Sequence, residues 1–480
     1  AKSGHPGGAM SSMDFAFTLY HKHLNFDPDD PKWLGRDRFI LSAGHESMLL
    51  YSLLHMQGWL PMEEIKRFRQ LHSKTPGHPE NTLTKGVECT TGPLGQGAAM
   101  SVGFAIAGLH AKDSFGSEYF NHKIYTLCGD GDMQEGVAMG AASIAGHLSL
   151  DNLIWYYDKN DCQISGKIDR SVSDDFAKIY QGFGWQVFEI DGHDRTVIDN
   201  LLTEIKSSQM KPTLIIGKTK MAQGAATMEN NHTTHGAPLP KDERLATKKG
   251  FGFPDGEEFY CPKEATEHFQ ARYANLRQSA KDWREKLSES REKNPTFSRS
   301  FEQAFEQESF ADLPKVAWTA DKPVATRNAF GDVIENWADS LSHLMGGSAD
   351  LEPSNMTGAF AKKVQDFTAE NRNGRNLSFG VREFPMSAIC NGMALHGGVI
   401  PFDATFLSFA DYSRPALRLG SIQKVRVIHE FTHDSFSLGE DGPTHQPVEH
   451  IMSLRLIPDF YVMRPADAFE TETLMEVCLN

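Results

Sequence analysis

The run Gly129-Asp130-Gly131-Asp132-Met133-Gln134-Glu135-Gly136 follows a short apolar stretch and leads into a segment of helical period. A glycine-flanked aspartate at the carboxyl end of a strand can hold a hard divalent cation. The N-terminus of the helix that follows offers free N–H groups and a positive dipole end, which suits a diphosphate. Thirty residues on, after another apolar stretch, Asn160 stands in Asp158-Lys159-Asn160-Asp161-Cys162, where an amide oxygen could be a second ligand. A lone Gly-Asp-Gly reads as a tight turn. The second oxygen ligand, also just past a strand, favours a metal–diphosphate site.

Histidines recur among small residues: Ser3-Gly4-His5-Pro6-Gly7, Ser42-Ala43-Gly44-His45, Thr75-Pro76-Gly77-His78-Pro79 and Thr234-His235-Gly236. One such histidine is usually a capping or surface residue. Four in the loops of one α/β region point to a polar pocket that backbone approaches closely. No His-x-His or i,i+4 pair occurs among them, so a histidine metal cluster is the weaker reading. Gly92-Pro93-Leu94-Gly95-Gln96-Gly97 opens an Ala/Gly-rich helix and could lie over a flat heterocycle, though close helix packing explains it equally.

Further along, Gly380-Val381-Arg382-Glu383-Phe384 follows what reads as a strand. Phe406, Phe409 and Tyr412 are spaced i, i+3, i+6, as on one helical face. Thr432-His433-Asp434-Ser435 and Gly439-Glu440-Asp441-Gly442-Pro443-Thr444-His445-Gln446-Pro447 crowd ionisable groups after another strand, a density that favours a site over a turn.

The elements that must position these residues follow from the apolar pattern. Strands are expected at 123–128, 153–157, 186–190 and 213–216, about one βαβ unit apart, and helices at 11–23 and 47–58. That is a parallel, doubly wound α/β sheet with ligands at the strands' carboxyl ends. A charged stretch from 262 to 294 carries Phe269, Tyr273, Leu276, Ala280, Trp283 and Leu287 at steps of three and four, one apolar helix face. A second α/β section has expected strands at 344–346, 377–379, 399–402, 425–430 and 460–463.

The 480 residues suffice for two to four domains, and an apolar share of 40% with 23% charged residues is that of a globular chain. Lys+Arg 48 against Asp+Glu 63 leaves −15, a poor basis for binding nucleic acid or an anionic membrane. The stretch 98–109 is too short to span a bilayer. Six scattered cysteines, none in C-x-x-C, fit a reduced, cytoplasmic protein. A first residue other than Met and a helical pattern running to the last residue read as part of a longer protein.

Taken together, Lys2–Gly7, the segment 68–80, Thr91–Gly97, Gly347-Ser348-Ala349-Asp350-Leu351, Val381–Phe384 and Thr432–Pro447 resemble the transketolases over essentially the whole chain. The resemblance implies two doubly wound, mostly parallel sheets of the thiamine diphosphate-binding type joined by a helical linker. The pyrophosphate-binding domain would span 1–240, the linker 241–312, and an incomplete pyrimidine-binding domain 313–480. It implies thiamine diphosphate with Mg2+, Ca2+ or another divalent cation, and a homodimer with sites between subunits. The reaction would move a two-carbon ketol unit from a ketose phosphate such as xylulose 5-phosphate to an aldose phosphate such as ribose 5-phosphate.

By position, Asp130, Asn160 and the Cys162 carbonyl match metal ligands. His45, Gly92, Leu94, Gly131 and His235 match cofactor contacts. Glu383 matches the carboxylate on the aminopyrimidine, and Phe406, Phe409 and Tyr412 its aromatic pocket. His5, His78, His235 and His445 match proton-transfer or hydroxyl contacts. Arg327, Ser354 and His433 match phosphate contacts, and Asp441 a sugar-hydroxyl contact. Gly140 departs from the family, which generally carries a carboxylate there, and Glu46 stands where a small residue is usual. A formaldehyde-using dihydroxyacetone synthase or a catalytically silent relative is the alternative.

Overall fold

The computed structural model describes residues 1–307, 309–310 and 313–480. The expected end of the linker at 312 lies outside the described residues. The chain forms two compact units, Ala1–Ser101 with Asn121–Lys286, and Val102–Phe120 with Leu287–Asn480.

The first unit is built on a five-stranded parallel sheet. Its strands are β1 (Arg38–Leu41), β2 (Ile124–Gly129), β3 (Leu153–Lys159), β6 (Gln186–Asp191) and β7 (Thr213–Lys218), in the order β1-β2-β3-β7-β6. The hairpin β4 (Cys162–Gln163) and β5 (Gly166–Lys167) stands apart from it. Strands β1 and β2 are buried along their whole length, which is why β2 reads as one continuous apolar run. Register sets Leu41 beside Leu127 and Gly129 beside Asp158. The carboxyl ends of β1, β2 and β3 therefore lie side by side, and they lead into His45, Asp130 and Asn160.

Phe15 stacks on Tyr156 at 3.8 Å within a core that includes Leu41, Leu127, Ile154 and Ile215. Phe269, Tyr273 and Leu276, from the helices Lys263–Phe269 and Tyr273–Lys293, join the same core. Each such burial contributes on the order of 1.5–3 kcal/mol. The exposed pairs Lys263–Glu267 and Lys281–Glu285 add about 0.3–0.5 kcal/mol each at best. Packing, not charge, holds these helices.

The second unit carries a parallel sheet of β8 (Leu344–Ser348), β9 (Ile400–Phe406) and β10 (Ile428–Thr432), in the order β10-β9-β8. Thr432 pairs with Phe406, so the two strands end together. Val333, Ile334 and Trp337 of the helix Thr326–Trp337 pack with Phe360 and Phe402 beneath it.

Several expected elements differ. The segment 377–379 is not a strand. The chain meets β8 at the single Gly346–Asn376 bridge, made by the Gly346 N–H to the Arg375 carbonyl and the Leu377 N–H to the Gly346 carbonyl, then turns at Gly380 into the helix Glu383–His396. Its Leu377 and Phe379 are buried in the core, which accounts for their apolar character. The segment 460–463 forms no strand among the described residues. Phe460 and Val462 pack against Leu407, Leu417 and Leu454, while Tyr461 is 84% exposed. The expected helix 11–23 is broken into Pro6–Ser11, Met13–Thr18 and a π-helical turn Leu19–His23. Phe406, Phe409 and Tyr412 do not share a helix: Phe406 ends β9, Phe409 closes the 3₁₀ turn Leu407–Phe409, and Tyr412 lies in the helix Ala410–Gln423.

Candidate active site

In the first unit, Asp130 opens the helix Asp130–Gln134 directly after β2. Tyr157 donates to its Oδ1 at 2.5 Å, and Oδ2 is buried without a partner. Burial pushes this carboxyl up to about 7, against the pull of the Tyr157 hydroxyl. Asn160 Oδ1 accepts from the Cys162 N–H at 3.1 Å, and Asn160 Nδ2 donates to Asp158 Oδ2 at 2.7 Å. An orphaned carboxylate oxygen just past β2 and an amide oxygen just past the adjacent β3 are oxygen donors of the kind that fits a hard divalent cation. The Cys162 thiol itself is turned to Lys167 Nζ at 3.2 Å.

Four histidines from four loops converge nearby. His5 lies 5.3 Å from His45, 6.0 Å from His78 and 6.0 Å from His235 between ring centroids, and His45 lies 4.9 Å from His235. Burial lowers all four, and at His5 and His45 the neighbouring histidines add to it. Burial and the Arg69 guanidinium bring His5 down to about 4, and burial with the other histidines brings His45 down to about 3. His78 and His235 are lowered as well, chiefly by burial. Arg69 Nη2 sits 3.1 Å from His5 Nδ1. Arginine can only donate, so Nδ1 accepts and the His5 proton is on Nε2.

Glycines let the loops meet. Gly92 has φ +145°, and a Cβ there would stand 3.2 Å from the His78 ring; a Cβ on Gly44 would stand 2.7 Å from the Gly92 nitrogen. Gly131 holds the same kind of contact with Leu94, whose Cδ1 lies 2.6 Å from where its Cβ would be.

Asp132 was not singled out by sequence reasoning, yet it ties this region together. It is fully buried and accepts from Ser42 Oγ at 2.6 Å, Gly95 N at 2.7 Å and Gly129 N at 2.9 Å. Asp158 does the same for the helix Pro6–Ser11, accepting from Ser11 Oγ at 2.5 Å. Tyr157 and Arg69 also went unassigned. The available signal was the repeated aspartate of Gly-Asp-Gly-Asp and the aspartate two residues before Asn160. Glu46 is buried, accepts from Ser12 Oγ at 2.9 Å, and is pushed well up by burial and by Asp158.

In the second unit, Glu383 is the first residue of its helix and is buried, which raises its carboxyl above the usual range. Ser413 Oγ donates to its main-chain carbonyl at 2.9 Å, tying it to the helix that carries Tyr412. Although the three aromatics come from three elements, their rings form a chain. Phe406 stacks on Phe409 at 5.6 Å, and Phe409 meets Tyr412 at 6.0 Å. His445 lies 5.2 Å from Phe409, and His433 lies 3.8 Å from Phe406.

His433 Nδ1 contacts Thr432 Oγ1 at 2.9 Å, which donates to Asn355 Oδ1 at 2.8 Å. Arg327 Nη1 reaches the carbonyl of the neighbouring Ser354 at 3.4 Å. Burial, and then the charge of Arg327, lower the His433 imidazole, while Asp441 opposes them. Arg327, Ser354, His433 and Asp441 are thus gathered at one end of this sheet.

Residues 1–309 match the family described as transketolase, thiamine diphosphate binding domain, and residues 322–480 match transketolase, pyrimidine binding domain. The chain belongs to the transketolase family. The transketolase of Geobacillus stearothermophilus is 46% identical over 491 residues, covering 100% of this chain and 73% of that protein. The transketolase of Bacillus subtilis is 43% identical over 493 residues, with the same shares covered. Among solved structures, transketolase from Leishmania mexicana is similar with a TM-score of 0.95 at 38% identity, covering 100% of this chain and 72% of that one. Transketolase from Campylobacter jejuni gives 0.92 at 41%, covering 100% and 74%. Membership of the transketolase family makes the chain a transferase, and the expected α/β fold with parallel sheets is observed.

Proposed function

We propose that the chain transfers a two-carbon ketol unit between sugar phosphates, from a ketose phosphate such as xylulose 5-phosphate to an aldose phosphate such as ribose 5-phosphate. The observation that carries this reading is the cluster of His5, His45, His78 and His235 in the same unit as the orphaned oxygen of Asp130, with the Cys162 backbone next to both His235 and Asp130. Asp130, Asn160 and the Cys162 carbonyl would hold Mg2+ or a similar divalent cation against the diphosphate of thiamine diphosphate. Gly92, Leu94, Gly131, His45 and His235 would line that cofactor. Bound there, it supplies a nucleophilic carbon and an electron sink for cleaving a carbon–carbon bond.

The chain's own residues then have distinct tasks. Glu383, whose carboxyl burial raises above its usual range, would hydrogen-bond a nitrogen of the cofactor's ring and exchange a proton with it, while Phe406, Phe409 and Tyr412 would line that ring. Neutral histidines accept hydroxyl protons at neutral pH. His5, with Nδ1 occupied by Arg69, offers Nε2–H to a substrate oxygen. Arg327, Ser354 and His433 bind the phosphate, Asp441 reads a hydroxyl, and His445 contacts the reacting end.

The domain assignment 1–240, 241–312 and 313–480 belongs to the same reading. So does a homodimer in which the pyrophosphate-binding part of one chain faces the pyrimidine-binding part of another. Six free cysteines support a cytoplasmic setting, and no described helix is long and apolar enough to cross a membrane. With Gly140 in place of a carboxylate, no proton relay passes through that position. The likeness to transketolases at 42% to 46% identity supports this reading over that of a formaldehyde-using synthase.

The test is a coupled assay with xylulose 5-phosphate and ribose 5-phosphate in the presence of thiamine diphosphate and Mg2+. Release of glyceraldehyde 3-phosphate that depends on the acceptor is expected. Calorimetric cofactor binding without turnover, or turnover with formaldehyde alone, would replace this reading with a silent subunit or a dihydroxyacetone synthase.

A further inference from the structure

Glu46, a departure from the family pattern, has no task in the reaction proposed above. It is 1% exposed and closes the turn Gly44–Glu46 that carries His45. Its carboxyl lies against the helix Pro6–Ser11, which starts directly after His5. On one side, a Cβ on Gly8 would stand 2.4 Å from Glu46 Oε1, so a side chain at residue 8 would displace the acid. On the other, Glu46 Oε2 accepts from the fully buried Ser12 Oγ at 2.9 Å. The preceding hydroxyl, Ser11 Oγ, donates to Asp158 Oδ2 at 2.5 Å, and the same oxygen accepts from Asn160 Nδ2 at 2.7 Å. Two consecutive serines thus tie the end of one short helix to two sheet edges, the turn after β1 through Glu46 and the end of β3 through Asp158. The start of that helix sets His5, whose ring stands 5.3 Å from His45.

We propose that Glu46 is a positioning residue for the cofactor cradle: through Ser12 it fixes the helix that follows His5 against the turn that carries His45, and so sets the spacing of the two rings. This rests on the cofactor site proposed above. A buried hydrogen bond between distant segments admits one register, whereas apolar packing alone tolerates sliding. Glu46 makes that bond in an acidic neighbourhood. Burial first, and then Asp158, push its carboxyl well up against the pull of the Ser12 hydroxyl, and Asp132 and Asp130 add to the rise. That favours the uncharged acid, which an incoming diphosphate does not repel. Glutamine has the same shape and the same carbonyl acceptor. Alanine leaves Ser12 Oγ buried without its partner.

The experiment is a calorimetric titration of thiamine diphosphate, at fixed excess Mg2+, into the full chain freed of cofactor. It is repeated on Ser12→Ala, Glu46→Ala, Glu46→Gln and the Ser12→Ala/Glu46→Ala double variant, each with circular dichroism matching the parent. Ser12→Ala and Glu46→Ala should each weaken binding about tenfold or more, the double variant no further than the worse single, and Glu46→Gln by no more than about twofold. At saturating cofactor, KM for xylulose 5-phosphate should rise in the same pattern while kcat holds within about threefold. Ser12→Ala removes one oxygen atom, so that arm stands even where Glu46→Ala does not fold. Lower stability in urea with parent-like cofactor affinity in the single variants, or losses that add in the double variant, overturns this proposal alone. A parent that binds no thiamine diphosphate removes the cofactor site and this proposal with it.

Discussion

Tyr157 donates its phenolic hydrogen to Asp130 Oδ1 at 2.5 Å and so distinguishes the two oxygens of one carboxylate. One oxygen is held by the protein; the other is buried and free to serve an ion. Asp130→Ala should abolish Mg2+-dependent binding of thiamine diphosphate. Tyr157→Phe should keep the ligand but lose its orientation, weakening binding by about 10–100-fold. Calorimetry with and without Mg2+ measures both, and undiminished affinity in Asp130→Ala would remove it from the metal site.

Glu383 sits at a helix N-terminus, which favours its charged form, yet burial dominates and raises it. Glu383→Gln keeps the shape and cannot exchange a proton. Saturable cofactor binding with turnover lowered on the order of 10²-fold or more is expected. Steady-state kinetics at saturating cofactor decides, and near-normal turnover refutes the proton-donor role.

Arg327 reaches the Ser354 carbonyl at 3.4 Å and lies close enough to Glu430 and His433 to act on both, and its planar fork suits a phosphate. Arg327→Ala should raise KM for phosphorylated ketoses by about tenfold or more and leave hydroxypyruvate nearly unaffected. Equal losses for the two donors would make Arg327 structural.

His343 offers a pH test of the second unit. It is 3% exposed, neither ring nitrogen has a partner, and burial with the nearby Arg375 brings it down to about 4. The unfolded chain binds this proton near pH 6.5, and the native state resists it to about 4. The native state therefore keeps its full stability above pH 6.5, loses it as pH falls, and loses no more on this account below about 4. The linkage amounts to roughly 3 kcal/mol at most. His343→Leu should flatten this slope in urea denaturation between pH 7 and pH 5. His5 and His45 add slopes of the same sign, so the difference between variant and parent is the measure. Parallel curves would show that His343 titrates freely.

Much of this was written in the residue order. Strands β2, β3 and β7 stood out because a parallel strand covered on both faces is a nearly continuous apolar run, and the half-exposed edge strand β6 because of its Val187, Phe188 and Ile190. Strand β1 did not, because it opens with Arg38, a charged residue whose burial depends on carbonyls of Leu34 and Arg36 supplied by the fold. The segments 377–379 and 460–463 carried the same apolar signal and use it for packing, which composition cannot separate from pairing. For the site, the histidines and Asp130 were legible because glycine flanks them. Asp158, Tyr157 and Arg69 were not, since their roles rest on contacts between distant segments. The aromatic trio had the right members with the wrong geometry: a three-residue spacing mimics a helix face even when strand, turn and helix supply one ring each.

The two aspartates of Gly-Asp-Gly-Asp divide their labour. Asp130 has an oxygen to spare for a guest, while every contact of Asp132 is spent on the loops that end at Ser42, Gly95 and Gly129. A descendant of this chain that gave up catalysis could discard Asp130 and still fold, but it would have to keep Asp132. Within this motif the second aspartate marks ancestry, and only the first marks a working enzyme.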